Sequence, residues 1–198
     1  MSQQTHISAG FTDPIHDAQA AFREALNALA RPGRRVTLGA AVKGLPLGPA
    51  MAALVLALSD DDTAVWWQYD STASKWLRFH TGAAVAATTS AAAFAVILDA
   101  ESMPGLDQFA AGTAESPEQS ATLLLEVSSL DDGPAVEWRG PGIKDTQTVR
   151  IAGLPDGFWT QWQINHALFP RGVDIVFTCA DAALGLPRTT RVRRLEGL

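Results

Sequence analysis

The sequence predicts an α/β fold, a three-layer sandwich built around a mixed β-sheet. Two observations carry that prediction. Stretches of helical length alternate with short β-rich runs along the chain, and several of those runs, "AFAVIL", "ATLLLEVSSL" and "GVDIVFTCA", are continuously apolar, as strands covered on both faces are. A chain of 198 residues, 47% hydrophobic, is long enough to bury such a core and fits one domain, residues 1–198, better than two.

The elements follow in order. Residues 1–12 carry no pattern and are expected to be flexible. Asp13 and Pro14 form an N-cap and first-turn pair, and Ile15, Ala18, Phe22, Leu26 and Leu29 follow at helical spacing until "RPG" stops an amphipathic helix. "RRVTL" reads as a short strand. "GLPLGPAMAALVLALSDDD" reads as a loop leading into a helix apolar nearly all round, hence buried, that ends in an acidic turn. "TAVWWQY" is β-rich, and Ser71 is a candidate N-cap for the helix "TASKWLRFH", with Gly82 placed to end it in a left-handed residue.

"LDQFAAGT" is expected to be a short helix closed by Gly112. "AVEWRGPGI" and "DTQTVRIAGL" are expected to pair as strands around a turn forced by Pro141 and Gly142. Phe158 to Leu168 reads as a sizeable helix. "GVDIVFTCA" is a strand with "DAALGLP" as its hairpin partner, and the chain then runs out into a basic tail over residues 191–198.

Charge and cysteine content narrow the function. A net charge of -6 argues against nucleic acid or an anionic membrane as general partners, since both need a positive surface. The single cysteine, Cys179, excludes an intrachain disulfide and any multi-cysteine metal cluster, and its apolar context suits a small buried thiol. The N-terminus lacks a secretory pattern and no apolar run approaches about 18 residues, so a soluble, cytoplasmic protein is expected.

The motifs for chemistry are sparse. Neither G-x-x-x-x-G-K-[ST] nor G-x-G-x-x-G occurs, and the glycines of "RGPGI" suit a turn between strands. His6, His16, His80 and His166 are scattered without metal-ligand spacing, so no metal is expected. There is no G-x-S-x-G elbow, although a triad can be assembled from distant residues. Asp60, Asp61 and Asp62 lack the alternation of a calcium loop and read as a solvated turn. A pyridoxal phosphate site needs a Schiff-base lysine, and none of Lys43, Lys75 or Lys144 follows a buried strand beside phosphate-holding residues.

Two basic stretches remain. In "LRFHTG", Arg78 and His80 can jointly hold an anion, or can complement a helix dipole with Thr81 and Gly82 as its cap. In "GLPRTTRVRR", Arg188, Arg191, Arg193 and Arg194 fall within seven residues of an acidic protein, either as a solvated tail or as a docking or anion-binding surface.

The ordered blocks "FREALNALARPG" (22–33), "LVLALSDDDTAVW" (54–66), "LRFHTG" (77–82), "GTAESPEQSATLLLEV" (112–127), "GPGI" (140–143), "FPRGVDIVFTC" (169–179) and "LPRTT" (186–190) together resemble the PhnH family. That family supplies a subunit of the bacterial carbon-phosphorus lyase system for phosphonate use. The resemblance implies a fold related to the PLP-dependent transferases but without the cofactor, which agrees with the missing lysine. It also implies a homodimer joined to PhnG, PhnI and PhnJ in a core complex that converts an alkylphosphonate and ATP to a ribose 1-phosphonate 5-triphosphate and adenine.

The catalytic chemistry of that complex belongs to other subunits, so the resemblance implies a structural, assembly role without activity alone and with no cofactor or catalytic residue of its own. The alternative is a subunit that binds nucleotide or phosphonate directly. Arg78, His80, Thr81, Arg188 and Thr189 are the residues offered for anion, ligand or interface contact. The six tryptophans are candidate interface anchors, although Trp66, Trp67 and Trp76 suit a core equally well, as do Trp159 and Trp162 on one helix.

Overall fold

Residues 9–38, 47–69 and 72–195 are described by a computed structural model. Helix α1 spans Pro14–Ala30 and begins as expected, with the Asp13 carboxylate accepting the His16 backbone N–H at 3.1 Å and Pro14 in the first turn. Its inward face is not the expected one. The buried residues are Ala21, Ala25 and Ala28, whereas Ile15, Phe22 and Leu26 are 69%, 46% and 52% exposed. Close packing explains the inversion. Helix α1 rests on strand β9 (Ala182–Leu186) at Gly185, where an added Cβ would lie 2.5 Å from the Ala28 carbonyl, and only small side chains allow that approach.

Helix α2, Pro49–Leu58, is enclosed as expected: Ala50 to Val55 have no exposed surface, held between α1, helix α3 (Thr72–Thr81) and the sheet. Helix α3 ends as the sequence predicts, with Gly82 left-handed at φ +79°. Its expected N-cap, Ser71, lies outside the described residues, as does Lys43.

The central sheet has seven strands in the order β1-β9-β8-β5-β4-β2-β3. These are β1 (Arg35–Thr37), β2 (Ala64–Trp67), β3 (Ala84–Val85), β4 (Phe94–Ile97), β5 (Thr122–Glu126), β8 (Asp174–Cys179) and β9. From β3 across to β8 the pairs are parallel, while β9 runs antiparallel to both β8 and β1, so the sheet is mixed as expected. Its strands are apolar on both faces. Val96, Leu124, Val176 and Ala183 pack towards α1–α3, and Ile97, Leu123, Leu125, Ile175 and Phe177 pack towards the opposite layer.

That opposite layer holds helix α4 (Phe158–Ala167) and a three-stranded antiparallel sheet ordered β10-β6-β7, formed by β6 (Ala135–Arg139), β7 (Gln147–Arg150) and β10 (Arg191–Arg194). The three layers of the predicted sandwich are thus present. Two expectations are corrected. The basic tail from residue 191 is not a tail over its first half: Arg191–Arg194 pair with β6, because Val192 buries beside Trp138 and the Leu195 N–H continues the pairing to Ala135 at 3.1 Å. "LDQFAAGT" forms only a single 3-10 turn, Leu106–Gln108, since Ala111 leaves to bridge Ser120 at the left-handed Gly112. Of the expected flexible residues 1–12, residues 1–8 lie outside the described ones, and Phe11 packs on the helical side of the core.

Candidate functional site

Helix α3 delivers Arg78, His80 and Thr81 at its C-terminal turn. Arg78 is exposed there, and the His80 ring stands edge-on to Trp76 and Phe79 at centroid distances of 5.0 and 5.1 Å, with Gly10 close against it. Thr81 works as a cap: its hydroxyl donates to the Leu77 carbonyl at 2.9 Å and accepts the Ala83 N–H at 3.2 Å. Positive side chains at this end complement the helix dipole.

Arg188 is engaged on the other side of the sheet. It follows β9, and its guanidinium is mostly buried, gripping the Asp174 carboxylate through Nε at 3.1 and 3.2 Å and through Nη2. It also donates to the Pro117 carbonyl at 3.0 Å and to the Ser120 hydroxyl, while its own N–H meets Asp174 at 2.7 Å. These bonds tie the chain after β9 to the starts of β5 and β8. With so many of its donors committed, Arg188 is a structural clamp. Thr189, next along, lines a surface cleft.

The structure does not gather these residues around one anion. Arg78 and His80 lead into β3 at one edge of the sheet, and Arg188 anchors to β8, four strands away, a separation of about 19 Å at the usual strand spacing. They also sit in different layers, α3 on one face of the sheet and the Arg188 turn beside α4 on the other.

Other candidates resolve locally. Asp60 organises a turn, accepting the Asp62 N–H at 3.1 Å, and among the described residues no group of three metal-ligating side chains forms. Cys179 is half-buried, its thiol 3.7 Å from the Ser128 carbonyl. Glu126, at the end of β5, has its carboxylate against Gly48 at the start of α2, and burial pushes that carboxyl above the ordinary glutamate range.

Comparison with known proteins decides the family. The model for the bacterial phosphonate metabolism protein PhnH matches residues 9–193. The chain belongs to the PhnH family. It is 45% identical over 199 aligned residues, 98% of this chain and all of the relative, to the alpha-D-ribose 1-methylphosphonate 5-triphosphate synthase subunit PhnH of Rhizobium meliloti (strain 1021). It is also 33% identical over 178 residues, 88% of this chain and 85% of the relative, to the putative C-P lyase subunit protein HtxG of Stutzerimonas stutzeri.

Among the described residues of this PhnH-family chain, neither lysine fits a pyridoxal phosphate site. Lys75 on α3 and Lys144 in the β6–β7 turn are both exposed, and neither sits at the end of a strand of the buried parallel sheet. No described helix is long and apolar enough to cross a membrane. What the sequence reading missed is on the surface. Large apolar side chains stand out at three places: Ile15, Phe22 and Leu26 on α1, Phe79 and Val85 around the end of α3, and Ile164 and Phe169 on and after α4. The basic surface offered for Arg191 and Arg193 is one side of the small sheet, and what the sequence did not show is that Arg139, Arg150 and Glu137 join it there. Alternation in "RVRR" was the available signal; the partner strand was not visible.

Proposed function

We propose that this chain is a non-catalytic, dimeric assembly subunit of a carbon-phosphorus lyase core complex, joined to PhnG, PhnI and PhnJ, in organic phosphonate catabolism. The complex converts an alkylphosphonate and ATP to a ribose 1-phosphonate 5-triphosphate with release of adenine, and its need for ATP places it in the cytoplasm. The observation that carries this reading is the end-to-end similarity to a relative named as a subunit of a ribose 1-methylphosphonate 5-triphosphate synthase. The mixed sheet with helices on both faces, and the absence of a suitably placed lysine among the described residues, support descent from a PLP-transferase-type fold without its cofactor.

The non-catalytic role has physical support in how the polar residues are used. Arg188 is a clamp, Thr81 is a helix cap and His80 is packed between aromatic rings. The exposed Ile15, Phe22 and Leu26 lie at i, i+7 and i+11, one stripe along α1, which is the form in which a helix offers apolar anchors to a partner. We assign α1 and the α3 end, with Arg78, Phe79 and His80, as subunit contacts. Co-expression with PhnG, PhnI and PhnJ tests the proposal. One complex should elute in gel filtration with this chain at a stoichiometry of two; a chain that elutes apart from all three overturns it.

A further inference from the structure

A cleft of about 530 Å³ opens where the β6–β7 turn, the end of α4 and the chain entering β10 meet, lined by Arg139, Pro141, His166, Phe169, Thr189 and Arg191. Its volume is in the range that holds a small molecule, roughly 300–1,000 Å³. Arg139 and Arg191 are direct cross-strand partners in the β6/β10 ladder, so their side chains leave the same face of the sheet next to each other. Like charges in that position repel, and of the two only Arg139 has a carboxylate partner. Glu137 is the one carboxylate on this face, shared by Arg139 Nε at 3.0 Å and Arg193 at 3.3 Å, and Arg191 has no acidic partner among the described residues.

The third polar group is fixed. His166 Nδ1 bonds the Arg188 carbonyl at 2.7 Å, and since a carbonyl only accepts, Nδ1 carries the hydrogen and Nε2 is the nitrogen left for another partner. Phe169, 60% exposed, and Pro141 supply apolar walls beside the charges. The frame behind the cleft is pinned. Trp162 Nε1 donates to the Thr190 carbonyl at 2.9 Å, the Thr190 N–H closes a turn to Pro187 at 2.8 Å, and the Arg188–Asp174 clamp holds that turn to the central sheet. At the floor the two segments touch: a Cβ on Gly140 would lie 2.9 Å from the Thr189 carbonyl.

We propose that this cleft binds a small organic phosphate or phosphonate, its anionic oxygens on Arg139 and Arg191, the P–OH of its monoanion donating to His166 Nε2, and its organic group against Phe169. Paired guanidinium forks match the oxygens of such a head group. A protein of net charge -6 repels an extended polyanion, but a small anion responds to charges within a screening length of about 8 Å, where this patch is positive. The site is distinct from Arg78, His80 and the Arg188 guanidinium, and does not depend on the assembly reading.

Calorimetry on the full chain at about 0.15 M salt provides the test, with phenylphosphonate, phenyl phosphate and inorganic phosphate as probes. Both phenyl compounds should bind saturably at one site. Arg191→Ala, which removes no bond within the described structure, should weaken both by about tenfold or more, as expected for a lost charge-assisted pair. Phe169→Ala should weaken the phenyl compounds but not inorganic phosphate. Lys144→Ala, an exposed cation outside the cleft, should change nothing. No saturable heat up to about 10 mM probe, or binding that survives Arg139→Ala/Arg191→Ala with an unchanged melting temperature, overturns the proposal. So does tighter binding of an acidic peptide that displaces phenylphosphonate, which would make the cleft a protein-docking surface. Phenyl phosphate against phenylphosphonate separates an ester oxygen contact from the shared head group.

Discussion

The two faces of the central sheet are covered by opposite strategies. On one side α1 and α2 approach closely through alanine, with Ala21, Ala25, Ala28, Ala50, Ala52 and Ala53 all buried, and the bulky residues of α1 are turned outwards. On the other side the space is filled by Phe158, Trp159, Trp138 and Phe177 in edge-to-face contact, with Trp162 buried among them, and the surface above them is basic. The difference separates two ways of spending apolar residues. The aromatic layer spends most of them in its own core and leaves Ile164 and Phe169 exposed, whereas the alanine layer turns the whole stripe of Ile15, Phe22 and Leu26 outwards. The two proposals divide accordingly, docking on the first face and a small ligand on the second.

Breaking the aromatic side should cost the most, because its polar clamp and its packing are coupled. Arg188→Ala leaves the part-buried Asp174 carboxylate without its partner and frees the turn beneath β10, a loss of about 3 kcal/mol or more for a severed buried pair. Denaturant unfolding measures it. A loss under about 0.5 kcal/mol would show that the pair is exposed in solution and that the clamp does not organise this layer.

Next in size is a test of close approach on the alanine side. Gly185→Ala places a methyl 2.5 Å from the Ala28 carbonyl, backbone against backbone, so α1 must shift bodily. Overpacking of this kind costs about 1–3 kcal/mol. The shift should also expose Ala21 and Ala25, visible as faster amide exchange along α1 than along α4. Equal exchange in both helices would mean that the alanine contact is looser than the geometry indicates.

Much of this architecture was legible because it rests on local patterns. The Asp13-Pro14 cap, the glycine after α3 and the doubly apolar strands each state their structure within a few residues. The inward face of α1 was not legible, since the periodicity of Ile15, Phe22 and Leu26 points to a buried stripe and only the strand glycine at 185, far along the chain, reverses it. Arg188 reads as a free cation in "LPRTT" because its carboxylate, Asp174, comes from another element. Arg139 and Arg191 become neighbours only through the register of β10 on β6, which no local rule fixes.

A smaller effect on stability sharpens the docking half of the comparison. Phe22→Ser with Leu26→Ser should leave the monomer within about 0.5 kcal/mol of the parent, since both side chains are already exposed. The same variant should lose self-association in sedimentation. A variant that unfolds would place those side chains in the monomer's own core; one that still dimerises at parental affinity would move the contact elsewhere.

The smallest effect is a matter of pH on the alanine side. Leu124 and Glu126 leave β5 on the same face, and the Glu126 carboxylate is half-buried against the start of α2, with its proton affinity raised by desolvation. An acid whose folded pKa lies above its unfolded one favours the fold while protonated, so that contribution is whole below the unfolded value, about 4.3, and is lost as pH rises through the folded value. Glu126→Gln keeps the shape and removes the charge. Its melting temperature should match the parent near about pH 4 and exceed it modestly at neutral pH, the gap opening as the parent's carboxyl ionises. A gap of the opposite sign would mean that the N–H groups at the start of α2 hold the carboxylate more strongly than burial opposes it, and would turn Glu126 from a tolerated charge into a cap for the most deeply buried helix of the docking layer.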